Sequence, residues 1–303
     1  MTPEDFSQLV APLRGELHAH CYRMLGSVHD ADDVVQETLV RAWKAIERFE
    51  DRGSGVRPWL YRIATNRCLT VLGGRGVSEF VEPYPGPEEL GAESLGAESL
   101  GPGALGAEAP GPEALVVGRE HLELAFVTAI QGLPGLQRAV LLLREAQGFS
   151  AAEVAELLST SVPAVNSALQ RARRSVPLPV AADPVDPGVW ELARRYAAAW
   201  ESGDVDAIVA LFADDARYSM PPEPAVFSGV DAIRGFLVEG PLEYRWRFRA
   251  TVANGQPAFG TYLWEDGWRP GGLDVLTMRG GQVTEVVSFL TADFEIFGLP
   301  AGL

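Results

Sequence analysis

Apolar residues recur at three- and four-residue steps from Phe6 to Leu25 (Phe6, Leu9, Val10, Leu13, Leu17, Tyr22, Leu25), which predicts an amphipathic helix. Gly26-Ser27 breaks it, and His29-Asp30 offers a fresh N-terminal cap. The next helix, Ala31 to Phe49, has an apolar stripe of Val34, Val35, Leu39, Trp43 and Ile46. Asp32, Asp33, Gln36, Glu37, Arg41 and Lys44 fall outside that stripe. After a loop from Glu50 to Pro58, a third helix over Trp59–Leu72 sets Leu60, Ile63, Ala64 and Leu69 against Arg62, Asn66 and Arg67. Arg52, Arg57, Arg62 and Arg67 with Trp59 and Tyr61 form a compact basic and aromatic stretch. Rings beside guanidinium groups suit unpaired bases, because every base has a π-face and every nucleotide a phosphate. Boundary packing is the competing role for Trp59 and Tyr61.

A second helical block is expected over Glu120–Gly132 and from Pro134 to Gln147, where Gly148 stops it. Ser150-Ala-Ala-Glu153 is a capping box, so a short helix should run to Leu158 and stop at Ser159-Thr160-Ser161. The helix that follows from Val162-Pro163 should turn Val162, Val165, Ala168, Leu169 and Ala172 inward. It leaves Asn166, Ser167, Gln170, Arg171, Arg173 and Arg174 outside. A short helix, a three-residue turn and a helix with amides early and arginines late fit a reader of the DNA major groove. A plain helical hairpin with solvated arginines is the alternative.

The C-terminal third changes period. Helices are expected at Val189–Ser202, Val205–Phe212 and Asp231–Glu239, with extended pieces at Ala216–Met220 and Ala225–Phe227. From Glu243 to Thr251 the chain alternates strictly, Tyr244, Trp246 and Phe248 on one face and Arg245, Arg247 and Arg249 on the other. Strands at Ala258–Trp264, Leu273–Met278 and Val283–Leu290 follow, the last two joined by a Gly280-Gly281 hairpin. A curved sheet around helices makes a conical pocket. Its expected lining is Met220, Phe227, Trp246, Tyr262, Trp264, Trp268 and Asp274.

Charge locates the boundaries. The 303 residues carry a net charge of −16, and Lys44 is the single lysine among 25 basic residues. Residues 1–72 are near neutral at −1, 73–118 hold −7, 119–176 hold +1 and 177–303 hold −9. Such a chain does not coat nucleic acid through its overall field or settle on an anionic membrane; any DNA contact must be a local patch. Residues 73–118, with a tandem LGAES pentad and many Gly, Pro, Ala and Glu, read as a flexible acidic linker. Residues 177–187 read as a Pro-rich connector, leaving 188–303 as a third domain. Two cysteines, Cys21 and Cys68, are too few for a disulfide framework or a four-thiolate metal site. Without a signal-like N-terminus or a long apolar run, the chain is expected to be cytoplasmic.

The stretches Tyr22-Arg-Met-Leu-Gly-Ser-Val-His-Asp-Ala-Asp-Asp-Val-Val-Gln-Glu-Thr and Arg57-Pro-Trp-Leu-Tyr-Arg-Ile-Ala-Thr-Asn-Arg, with the Leu133–Arg174 block, resemble the two halves of an extracytoplasmic-function sigma factor of bacterial RNA polymerase. The C-terminal third resembles the SnoaL-like domain fused to one subgroup of these factors. The resemblance implies a multidomain fold: two all-α sigma modules, region 2-like (1–72) and region 4-like (119–176), plus a cone-shaped α+β domain. It implies that Asp33, Gln36, Glu37 and Arg41 grip the clamp helices of the polymerase β′ subunit. Arg52, Arg57, Trp59, Arg62, Asn66 and Arg67 would meet the melted promoter element near the start site. Asn166, Ser167, Gln170, Arg171 and Arg174 would meet the distal element. Core polymerase and promoter DNA are the implied partners; no cofactor, metal or membrane is expected.

Catalysis in the C-terminal pocket is not favoured, since His18, His20, His29 and His121 all lie outside that domain and only Asp214, Asp215, Glu265 and Asp274 remain as acid–base groups. A regulatory pocket, with a small-molecule ligand as the further partner, is the preferred expectation over an empty aromatic core. The alternative for the whole chain is a sigma-like scaffold repurposed as an enzyme or small-molecule binder. The acidic total and the scarcity of basic residues between Cys68 and Arg119, where only Arg75 occurs, favour it; the helix-turn-helix arginines oppose it.

Overall fold

The computed structural model describes residues 2–49, 55–74, 80–85, 124–176 and 187–303, and its chain divides into two compact units. The first comprises Met1–Val81 and Leu90–Ala182, the second Glu82–Glu89 and Asp183–Leu303.

In the first unit α1 (Pro3–Leu25) opens on a capping box: the Asp5 amide donates to Thr2 Oγ1 at 3.2 Å and the Thr2 amide to Asp5 Oδ2 at 2.9 Å. It closes at Gly26, whose φ of 73° disfavours any side chain and whose Cβ position would lie only 3.2 Å from the Gln131 side chain. Helix α2 (Val28–Ala45) is capped by the Ser27 hydroxyl, two residues earlier than the His29-Asp30 pair suggested. A serine oxygen reaches the third amide of the helix, and Asp30 then serves as first-turn acid. Helix α3 (Val56–Gly74) follows. Beyond the linker come α4 (Leu124–Gln131) and α5 (Gly135–Leu141). The expected continuation of α5 to Gln147 widens into a π-helical turn over Leu142–Ala146. Helices α6 (Ala151–Leu157) and α7 (Val162–Ser175) complete the unit.

Leu17, Tyr22, Met24, Leu60, Ile130 and Leu141 to Leu143 are fully buried in this unit, as are the free thiols Cys21 and Cys68. Arg138 sits among them at 4% exposure. Its guanidinium donates to Met24 O (2.5 Å), Gln131 Oε1 (2.5 Å), Gln131 O (2.6 Å) and Leu133 O (3.2 Å). Two of these carbonyls lie at the C-terminal ends of α1 and α4, where the helix dipoles favour a cation. Burial lowers its pKa to about 10, so it remains charged at neutral pH.

The second unit is one six-stranded sheet of order β2-β1-β6-β5-β4-β3 with helices on one face. Helices α8 (Pro187–Ser202) and α9 (Val205–Val209) lead into β1 (Phe212–Met220) and β2 (Glu223–Ser228). The expected helix to Phe212 thus stops three residues short. Phe212 instead begins a strand parallel to β6 (Gln282–Phe289), and the Leu211 carbonyl accepts from the Val283 amide at 2.8 Å. Helix α10 (Val230–Glu239) precedes the antiparallel meander β3 (Trp246–Ala253), β4 (Gln256–Trp264), β5 (Trp268–Arg279) and β6. Gly280 and Gly281, both at positive φ, make the last turn as expected.

Part of the expected flexible linker is docked on this unit. Tyr84 is fully buried, its amide donating to Asn254 Oδ1 (2.9 Å) and its carbonyl accepting from the Asn254 amide (2.7 Å). Pro83 and Pro85 flank it, and their fixed φ lowers the entropy lost when the segment is held. The rest of 73–118 beyond Gly74, apart from 80–85, lies outside the described residues, as do 177–186.

Replacing Arg138 by Met should leave several buried carbonyls without donors and lower the stability of the helical unit by on the order of 3 kcal/mol. Chemical denaturation followed by circular dichroism should show the helical transition shifting to lower denaturant.

Candidate polymerase and promoter interface

Helix α2 presents Asp33, Gln36 and Arg41 to solvent, with Glu37 half-buried between two arginines. Arg41 Nη2 donates to Glu37 Oε1 at 2.6 Å and Arg67 pairs with Glu37 Oε2. The Arg41 hydrogen bond, aided by Arg67, holds the Glu37 carboxyl below its ordinary pKa. Asp33, Glu37 and Arg67 border a cleft of about 340 Å³ whose lining includes Asp30, Val34 and Thr70. Arg67 therefore belongs with the acidic α2 face rather than with Arg62 and Asn66, which stand exposed on α3. Its four-residue offset from Ile63 turns it toward α2.

Arg57 is also placed differently from expectation. Its Nη2 donates to Glu16 Oε2 at 3.0 Å and to Gln147 Oε1 at 3.2 Å. Its guanidinium lies 4.9 Å from the Tyr61 ring centroid and 4.8 Å from that of Phe149. Tyr61 is fully buried and donates to Gln147 Oε1 at 2.6 Å, and burial pushes its phenol pKa up. Trp59, half-buried, meets the Phe49 ring at 4.7 Å with the planes tilted by 30°. Beneath Tyr61, His20 is buried against Thr65 Oγ1 (2.9 Å), and burial drives its pKa down to about 3, so it is neutral. Arg52 lies outside the described residues. Sequence reasoning missed Glu16, Gln147 and Phe149; the stop at Gly148 marks the turn but not what it touches.

The capping box of α6 forms as expected, the Glu153 amide donating to Ser150 Oγ (3.2 Å) and the Ser150 amide to Glu153 Oε2 (2.7 Å). On α7, Val165, Ala168, Leu169 and Ala172 are buried. Asn166, Ser167, Gln170, Arg171 and Arg174 are exposed on one surface, while Arg173 pairs with Glu145. Val162, expected inside, is 39% exposed because it occupies the first turn next to the Ser161 cap, above the packed stretch.

The C-terminal domain departs most from expectation. Its inner space is occupied by Tyr196, Trp200, Phe212, Phe248 and Phe259, which make mutual ring contacts between 5.8 and 6.5 Å, and by Tyr218, whose ring meets Phe236 at 5.2 Å. Met220, Phe227 and Trp246 pack against this core, Phe227 stacked on Phe236 at 4.3 Å. Tyr262, Trp264 and Trp268 do not line the interior. They share the opposite face of the sheet, where Tyr262 is covered by Phe294 and donates to Pro300 O at 2.8 Å. Strand alternation decides this: in the β3–β4 register Tyr262 pairs with Arg247, and Trp264 pairs with Trp268. Asp214 and Asp215 are exposed on β1, not at a helix end, and Glu265 is exposed at a hairpin.

Asp274 alone among those carboxyls is interior, at 2% exposure. Tyr196 Oη donates to its Oδ2 at 3.0 Å, and Ser288, its partner across β5–β6, also bonds to it. Burial raises its pKa to about 6. It forms a sealed polar knot with hydroxyls around it and no histidine in the domain.

The residues match three families: Sigma-70 region 2 over 9–76, Sigma-70 region 4 over 123–176, and a SnoaL-like domain over 193–286. The chain is 44% identical over 315 aligned positions to the ECF RNA polymerase sigma factor SigG of Mycobacterium tuberculosis, covering 99% of this chain and 85% of that protein. This chain belongs to the ECF sigma factors. It is also 31% identical to the ECF sigma factor SigJ of the same organism, over 74% of this chain and 67% of SigJ. The crystal structure of SigJ matches the fold with a TM-score of 0.63 and 24% identity, covering 96% of this chain and 98% of that one. The ECF sigma factor described here thus combines both helical sigma modules with a six-stranded SnoaL-like domain. Among its described residues no helix is long and apolar enough to cross a membrane.

Because the folded pKa of Asp274 exceeds the ordinary 3.8, the native state binds its proton more tightly than the unfolded chain does. Its contribution to stability should therefore fall as pH rises from about 4 to about 6, by on the order of 3 kcal/mol, and stay flat above. Asp274→Asn should abolish that part of the slope in denaturation curves taken across this pH range.

Proposed function

We propose that this ECF sigma factor binds core RNA polymerase and directs it to specific promoters, with no chemistry of its own. The observation that carries this reading is the exposed surface of α7: Asn166, Gln170, Arg171 and Arg174 stand together on a helix capped by Ser161 and backed by a packed core. Among the described residues, Arg171 and Arg174 make no ion pair with a carboxylate, so their donors are open to base edges or phosphates. Asp33, Gln36, Glu37 and Arg41 are the proposed polymerase contacts, and exposed Arg62 and Asn66 the proposed contacts to melted DNA. Arg57 and Trp59 join them only after leaving their present partners, and Arg67 acts by holding Glu37 in place. The domain boundaries at 1–72, 119–176 and 188–303 remain our working division.

The SnoaL-like domain is proposed to regulate rather than catalyse. Its filled interior and sealed Asp274 leave a substrate no place beside the one buried carboxyl, which also removes the support for a small-molecule ligand there. The repurposed-scaffold alternative gains no observation in its favour.

Run-off transcription with core polymerase and a promoter library tests this. Arg171→Ala and Arg174→Ala should each reduce specific initiation roughly 5- to 100-fold, the cost of one lost base or phosphate contact, while polymerase binding stays unchanged. Glu37→Arg should do the reverse, weakening polymerase binding. A chain that binds no core polymerase, with or without residues 177–303, would refute the reading.

A further inference from the structure

The outer face of β3–β5 carries a cluster that neither sigma module nor the domain interior explains. Arg245, Arg247 and Arg249 are all exposed, on the side of the chain opposite Trp246 and Phe248. The Arg245 guanidinium lies 6.0 Å from the ring centroids of both Trp264 and Trp268, and that of Arg247 lies 5.2 Å from Trp268. The two indoles meet edge to face at 5.2 Å, and Trp264 is 45% exposed. Among the described residues, none of the three arginines pairs with a carboxylate, and neither do Glu265 and Asp266 at the adjoining hairpin tip. An exposed cation–π contact contributes only about 0.5–1 kcal/mol and leaves guanidinium donors unfilled. In a segment whose net charge is −9, three arginines without a carboxylate partner, in strand alternation about 6.8 Å apart, form a local positive track; Arg249 spends one donor on the Phe248 carbonyl at 3.3 Å.

We propose that this face is a docking surface for single-stranded DNA. Phosphates would lie along the arginine track, and a base would stack on the exposed indole of Trp264. An acidic peptide would use the charges but leave the indole idle. A duplex keeps its π-faces stacked inside and offers phosphates alone. Single strands present both, and base–aromatic stacking is worth about 1–3 kcal/mol per base. The choice of DNA over RNA rests on the sigma-factor reading; the surface itself does not.

The test uses the full chain without polymerase, so its failure is separable from failure to initiate transcription. A 5-bromodeoxyuridine oligonucleotide of about 16 nucleotides, the upper site size of a single-strand module, should photo-cross-link to the peptide holding Trp264 and Trp268. In fluorescence anisotropy, Trp264→Ala should weaken oligothymidylate binding about tenfold. The triple change of Arg245, Arg247 and Arg249 to Ala should lower the slope of log affinity against log salt by about 2. All four side chains are exposed, so circular dichroism should be unchanged. Cross-links confined to residues 1–176, with affinity indifferent to these changes, would overturn the proposal. Loss with the arginines but not with Trp264→Ala would reduce the face to a general anion patch and overturn it too. Equal binding of the matching RNA would overturn the assignment to DNA.

Discussion

The buried guanidinium of Arg138 ties the two halves of the helical unit together. Arg138 takes the terminal carbonyls of α1 and α4 with the same guanidinium that binds the Gln131 side chain, so the end of the first module and the start of the second share one donor. Its planar fork of five donors suits several carbonyl acceptors at fixed angles, where the compact ammonium of a lysine would reach fewer. No carboxylate is needed: the helix-end dipoles supply the negative partner, and burial lowers the pKa without discharging the group. Gly26 belongs to the same device, because its positive φ ends α1 where Gln131 fits against it.

That joint brings Gln147 and Phe149 onto Arg57 and Tyr61. One side chain that the family resemblance assigns to melted DNA, Arg57, is thus held half-buried between two rings and against Glu16. A guanidinium so engaged has its stacking faces covered, and it cannot also stack on a base. Arg62 and Asn66, one turn or more further along α3, escape because they face away from α5 and α6. The exposed face of α7 carries no such constraint, since the packing of α6 and α7 uses the opposite, apolar stripe.

In the SnoaL-like domain the decisive fact is occupancy. Aromatic side chains from α8, β1, β3 and β4 fill the space that a ligand would need, and the one interior carboxyl is consumed by Tyr196 and Ser288. Chemistry at this domain is therefore sought on its surface, where the β3 arginines and the β4–β5 tryptophans meet.

Local signals in the sequence settled the elements themselves. The capping box at Ser150, the stop at Gly148, the apolar stripe of α7 and the Gly280-Gly281 turn each fix a conformation through atoms only a few residues apart, so they were legible without a structure. Alternation in β3 likewise separated Arg245, Arg247 and Arg249 from Trp246 and Phe248. Alternation assigns residues to faces but does not say which face closes over a core. Trp264 and Trp268 were therefore placed in a pocket when they belong to the outside. The internal contacts of Arg67, Arg57 and Tyr84 were hidden for a related reason: their partners Glu37, Gln147 and Asn254 lie 30, 90 and 170 positions away. Contacts across such separations are chosen by how whole elements pack, and no pattern in the neighbouring residues encodes them. Helices, strands and family follow from residues that are neighbours in the chain. Which charged and aromatic side chains are free to meet a partner follows from packing, because that freedom is whatever internal pairing leaves over.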